Sequence, residues 1–211
     1  MRALVVYESM YGNTHRIAEA IARGLRSAYA VKVVSVAGAR YEHVGHYDLI
    51  VAGGPTHAHG MSQPDTRKAA ISAPRVKADH LTVDPDAGGL SLRVWLDTLG
   101  LRSGHAAAFD TRLQGYAFVT GRASKGIAAM LRQHGFQSVI EPISFLVDRH
   151  DHLLPGEEER AERWGATLGE IRPKPVVGPE RAPSRPMSSR IRRRATSRLP
   201  IPPRLGRNLA S

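Results

Sequence analysis

The seven residues from Glu8 to Thr14, ESMYGNT, gather three hydroxyl groups (Ser9, Tyr11, Thr14) and one amide (Asn13) around a single glycine, Gly12. An apolar run precedes them and an amphipathic one follows. Uncharged donors at the start of a helix suit an anion, because first-turn N–H groups lack an intrahelical acceptor and the helix dipole is positive there. The side chains decide which anion. A P-loop needs GxxxxGK[ST], and no lysine stands between Glu8 and Thr14. A dinucleotide fingerprint needs GxGxxG and an acid roughly 20 residues on, whereas Gly12 is alone and the second apolar run ends in Ala37-Gly38-Ala39-Arg40. Hydroxyl, amide and backbone donors without a lysine fit a single terminal phosphate monoester. An ordinary capped strand-to-helix turn uses the same residue types, so the placement of the loop after a first parallel strand is what favours the phosphate.

That placement follows from the flanking elements. Ala3 to Val6, Val33 to Val36 and Leu49 to Ala52 are short apolar runs rich in β-branched residues, the pattern of strands covered on both faces. Between the first two, Asn13 or Thr14 offers an N-cap, and Ile17, Ile21 and Leu25 share one helical face. His105 to Phe109 reads as a fourth strand, and Ser124 to His134 as a helix capped by Ser124. Ser138 to Ile140 with Phe145 to Val147 reads as a split last strand, and Glu157 to Ile171 as a closing helix with Ala161, Trp164 and Leu168 inward. Trp95, with Leu92 and Leu99, marks a further core helix. Strands alternating with helices predict a doubly wound α/β sheet in one domain over residues 1–171.

Asp65 to Leu90 lacks a sustained period, and a stretch of that length inside a compact domain points to a role near a ligand. A short helix is expected around Arg67 to Ile71. Residues 172–211, with RPKPVV, SRPMSSRIRRR and LPIPPR, have the composition of a disordered tail. Of the 30 Lys+Arg and 19 Asp+Glu, 11 bases and one acid lie in that tail, leaving 19 bases against 18 acids in the body. Of the formal charge of +11 the tail therefore carries +10 and the body +1. Its arginines have no interleaved aromatics on which bases could stack, which argues against specific nucleic-acid binding. A solvated tail is the first reading, and weak attachment to anionic lipid or an acidic protein the second. Cysteine is absent, which excludes disulfides, thiolate metal sites, iron–sulfur clusters and thiol nucleophiles. His57-x-His59 and His150-Asp151-His152 show no identifiable third ligand, so no metal is expected. No apolar run reaches the roughly 18 residues of a spanning helix, and the expected location is cytoplasmic.

The stretch from Val5 to Ile21, VVYESMYGNTHRIAEAI, resembles the flavodoxin signature: two apolar residues and an aromatic, a serine, a glycine two before a threonine, then alanine and an aliphatic on the helix. The resemblance implies a flavodoxin-like five-stranded parallel sheet in the order 2-1-3-4-5. It also implies that Ser9, Met10, Tyr11, Gly12, Asn13 and Thr14 surround the 5′-phosphate of FMN. Gly53-Gly54-Pro55-Thr56 resembles the family's second flavin loop, placing Pro55, Thr56, His57 and Ala58 beside the isoalloxazine, with His59 and Met61 as further neighbours. The segment after the fourth strand occupies the place of the third flavin loop. There Phe109 or Tyr116 would face the ring, and Asp110, Thr111 and Arg112 would lie at its edge. Electron transfer to a redox partner protein or a small-molecule acceptor would follow. The tryptophan and tyrosine that usually sandwich the ring in electron carriers are not found, and the body is not acidic. An FMN-dependent NAD(P)H:quinone-type reductase or oxidase is therefore the alternative. A phosphorelay receiver would need an aspartate where the third strand ends in Gly53-Gly54-Pro55.

Overall fold

Alternation along the first strand decides the layering. In β1 (Arg2–Tyr7), Leu4 and Val6 enter one apolar core while Ala3, Val5 and Tyr7 enter another. Both faces of the sheet are thus covered, as side chains of period two in a buried parallel strand require. The computed structural model describes residues 1–57, 59–73 and 81–171. The expected disordered tail, 172–211, lies outside them.

β1 pairs in parallel with β2 (Ala30–Ser35) on one side and with β3 (Leu49–His57) on the other. β3 pairs in parallel with β5 (Gly104–Leu113). The fifth position is shared: β6 (Phe136–Ser138) lies along Gly104–Ala106 of β5, and β7 (Ile143–Val147) along Phe109–Leu113. This is the doubly wound order 2-1-3-4-5 with its last strand split. A two-residue β4 (Gly60–Met61), antiparallel to the end of β3, is an addition that the apolar pattern does not signal.

One face carries α1 (Asn13–Leu25) and α7 (Glu157–Glu170). Ile17, Ile21 and Leu25 are fully buried there with Phe109, Phe145 and Trp164. The two helices approach closely because both crossing positions are glycine. A Cβ on Gly165 would lie 2.2 Å from the Ile21 carbonyl oxygen, and one on Gly24 2.0 Å from that of Glu162. The other face carries α2 (Val36–Ala39), α4 (Leu92–Asp97) and α6 (Ala123–Gln133), with Trp95, Leu96, Ile127 and Leu131 in the core. The short helices α3 (Pro64–Ile71) and α5 (Ala117–Thr120) lie near the carboxyl ends of the strands they follow.

Three local expectations change. The N-cap of α1 is Gly12, in the left-handed region at φ 83°, and not Asn13 or Thr14. Ser124 is inside α6, whose first N–H groups are met from the sheet instead. Thr56 Oγ1 accepts from Ala123 N at 2.9 Å, and the Asp110 carboxylate accepts from Ser124 N at 2.7 Å. Val36 opens α2 and does not end β2, because the Ser35 hydroxyl accepts from Gly38 N and turns the chain.

Candidate functional site

The loop from Glu8 to Gly12 leaves the sheet between β1 and β3, the topological switch point at which open α/β sheets hold ligands. The loop is organised by its own groups. Ser9 Oγ accepts from Gly12 N at 3.0 Å, and Gly12 O accepts from Arg16 N at 3.0 Å, the first bond of α1. The N–H groups of Asn13, Thr14 and His15 form the first turn, where no intrahelical carbonyl precedes them. Beside this turn lies a cavity of about 480 Å³, within the range of cofactor pockets.

Met10, Tyr11, Asn13 and Thr14 line the cavity from the first loop, Pro55, Thr56 and His57 from the end of β3, and Thr111 and Arg112 from the end of β5. Thr14 and Thr111 are buried, and their hydroxyls meet at 2.7 Å, joining helix to strand at the cavity floor. Arg112 turns Nη1 toward the carbonyls of Leu113 and Gly115 and the Thr120 hydroxyl, so its guanidinium shapes the 113–120 turn as well as the cavity edge. His57 is held below the ordinary histidine value chiefly by burial, against the upward pull of Glu8 and the Thr66 backbone. A neutral imidazole therefore faces the cavity at neutral pH.

The other residues singled out in the sequence lie elsewhere. Ser9 and Gly12 build the loop without lining the cavity. Phe109 is fully buried beneath Gly53, edge-on to Phe145, and cannot face a ligand. Asp110 is equally buried on the opposite side of β5. Desolvation pushes its carboxyl up, opposed by the Ser124 N–H. Met61 packs in the core, His59 sits in the β3–β4 hairpin at φ 73°, and Tyr116 is exposed and stacked on Phe118. Ala58 lies outside the described residues.

The 65–90 excursion, expected near the ligand, supplies one further wall, and a segment for which no role was expected supplies the other. Thr66, Ala69, Ala70 and Ala73 line the cavity from α3 and its end, and the Tyr11 hydroxyl donates to Ala70 O at 2.7 Å, tying the first loop to that wall. Val147, Arg149 and Asp151 line it from the β7–α7 connection, whose Asp151 carbonyl accepts from Asn13 Nδ2. The connection follows the carboxyl end of a strand, so topology, though not residue type, points to it.

Solved structures share this architecture. A flavodoxin from the domain Archaea superposes with a TM-score of 0.52 at 21% identity, covering 81% of this chain and 97% of that one. Oxidised Flavodoxin 1 from Bacillus cereus gives 0.54 at 17%, covering 82% and 100%. The Streptococcus pneumonia TIGR4 flavodoxin gives 0.52 at 19%, covering 81% and 99%. At these identities the likeness concerns the fold. Residues 5–90 match the family model for flavodoxin. Over that span the chain is similar to the flavodoxin family. No curated protein sequence matches it. The matched span holds the first loop, the end of β3 and α3, so three of the cavity's walls fall within the flavodoxin match, whereas those from β5 and β7 do not. Among the described residues no helix is long and apolar enough to cross a membrane.

Proposed function

We propose that this flavodoxin-like chain binds FMN and passes electrons through it. The observation that carries the reading is the cavity of about 480 Å³ between the first turn of α1 and the end of β3, at the switch point of the sheet. The chemistry of its donors fits the group. Asn13, Thr14 and His15 present first-turn amides where a phosphate gains from both the open N–H groups and the dipole. The Thr14 and Thr111 hydroxyls lie beneath, and no carboxylate side chain stands between Ser9 and Thr14. On the ring side, Pro55, Thr56 and His57 offer backbone groups and a neutral π face, with Met10, Tyr11 and the alanines of α3 as the apolar surround.

Bound flavin supplies reversible one- and two-electron transfer. The chain's own part is to bind, orient and shield. Ser9 and Gly12 hold the loop in shape, Thr14 anchors it to Thr111, and Arg112 and Arg149 bring positive charge to the rim. In this reading Phe109 and Asp110 act from beneath, through Gly53 and the start of α6, and Ala58 keeps the assignment its sequence position gives it. The electrons would come from and go to a redox partner protein or a small-molecule acceptor in the cytoplasm.

The purified protein, supplemented with FMN if colourless, is expected to carry flavin absorbance through gel filtration. Loss of the flavin at that step refutes the proposal. Anaerobic NADH or NADPH then separates the two forms of activity: rapid bleaching identifies a reductase, and unchanged absorbance identifies a carrier reduced by another protein.

A further inference from the structure

The wall formed by α3 has an unusual support. Thr66, Ala69 and Ala70 face the cavity at helical spacing, continued by Ala73, yet the only buried residue of the helix is Arg67. A helix normally docks through an apolar stripe. This one docks through a charge. Arg67 is 6% exposed, and its Nε lies 3.4 Å from Oε1 of Glu8, itself 5% exposed at the end of β1. The same Glu8 oxygen accepts from the Ser62 hydroxyl just before α3, and Oε2 accepts from Leu92 N at 2.7 Å, at the start of α4. Arg67 Nη2 in turn donates to Ala87 O at 2.5 Å. One carboxylate and one guanidinium thus tie the first strand to both ends of the 62–92 excursion.

We propose that the buried Glu8–Arg67 pair seats α3 against the flavin cavity, so that two residues that do not line the cavity set the affinity of the site. The inference rests on the flavin reading. Removing either partner leaves the other charge buried without its counterion, a strongly unfavourable state that the structure relieves by letting the charged residue reach water. For Arg67 the route outward is displacement of α3, because Arg67 is the one buried residue of that helix. Glu8 and Arg67 are accordingly positioning residues.

The test uses the full chain, with Arg67→Met, Glu8→Gln, the double variant and Arg67→Lys. FMN affinity is read by fluorescence quenching, and hydrogen exchange is followed across 64–71 and, for reference, across α1 and α7. Arg67→Met and Glu8→Gln are each expected to raise the FMN Kd at least tenfold and to speed exchange in 64–71 while α1 and α7 keep their protection. The double variant should bind no more weakly than the worse single one, since both changes act on one contact. Arg67→Lys, which keeps the charge, should recover part of the affinity. Wild-type Kd together with wild-type protection of 64–71 in folded Arg67→Met overturns the inference, as does full additivity in the double variant. Should Glu8→Gln fail to fold, Arg67→Met and Arg67→Lys decide. If the wild type itself does not bind FMN, the flavin reading falls, and the exchange data alone judge whether the pair seats α3.

Discussion

Replacing Gly53 with alanine tests how the sheet and the cavity are joined. Gly53 pairs with Phe109 across β3 and β5, and a Cβ at position 53 would lie 2.2, 2.3 and 2.4 Å from three atoms of the Phe109 ring. Carbon atoms rest about 3.5–4.0 Å apart, so the ring would have to retreat by more than about 1 Å. It has nowhere to go: Phe109 is 0% exposed, edge-on to Phe145 at 6.3 Å, and Phe145 meets Trp164 at 6.5 Å. Overpacking of this kind costs about 1–3 kcal/mol, and the upper part of that range is expected here. For a domain of this size about 3 kcal/mol lowers Tm by roughly 6–12 °C. Gly54→Ala is the control. Its Cβ would meet Leu92 Cδ2 at 3.4 Å and Glu8 Cβ at 3.6 Å, an ordinary fit, and should cost less than about 1 kcal/mol. Urea denaturation of both variants, together with Phe109→Leu and the Gly53→Ala/Phe109→Leu pair, supplies the measurement. The double variant should be less destabilised than the sum of its parts, because the smaller side chain removes the clash. Equal stability of Gly53→Ala and Gly54→Ala, or strict additivity in the pair, would refute the reasoning.

Two other outcomes follow from the site and its support. Burial, aided by Asp84, Asp86 and Glu19, pushes the Tyr7 phenol up to about 12 from an ordinary value of 10.0. The folded state therefore keeps a proton that the unfolded chain releases. This contribution is fully present below pH 10 and is lost as pH rises through 12; two pKa units correspond to about 3 kcal/mol. Tyr7→Phe should flatten the alkaline fall of urea stability between pH 9 and 12, and an unchanged slope would contradict the assignment. Ser9→Ala combined with Thr14→Ala removes the hydroxyl that holds Gly12 and the one that meets Thr111. Thr14 lines the cavity and Ser9 shapes the loop beside it; one hydroxyl bond to a charged group is worth about 1.5–3 kcal/mol, so FMN affinity should fall at least tenfold while riboflavin, which lacks the phosphate, binds as before. Equal losses for both ligands would place the phosphate elsewhere.

How much of this was legible in the sequence depends on what holds each part. β1, α1 and β3 are visible because their burial is apolar and periodic: Leu4 and Val6, Ile17 and Ile21, and Ile50 and Ala52 fall where periods of two and 3.6 put them. The third loop keeps Thr111 and Arg112 at the cavity but starts later than its apolar run suggests, for a reason of the same kind. The apolar run stops at Phe109, but β5 continues to Leu113, so the residues read as loop are still strand and still alternate. Phe109 and Thr111 share the α1 side, where one packs in the core and the other meets Thr14. Asp110 takes the opposite side and receives the N–H of Ser124. Extending the strand by four residues converts the supposed ring neighbour into core and leaves Thr111 at the cavity floor.

The same alternation could have found the support of α3. Along β1, Leu4 and Val6 point to the face of α4 and α6, and the next residue on that face is Glu8, an acid where a third apolar residue is expected. A carboxylate in that position must find a cation and further donors or stay uncharged. Its partners lie at Ser62, Arg67 and Leu92, in and around a segment with no hydrophobic period of its own. Periodicity is blind to such a segment because its placement is carried by charge. An acid continuing the buried face of a first strand, followed by a helix whose one inward residue is arginine, is therefore a physical signal that the excursion is fixed to the sheet at the mouth of the site.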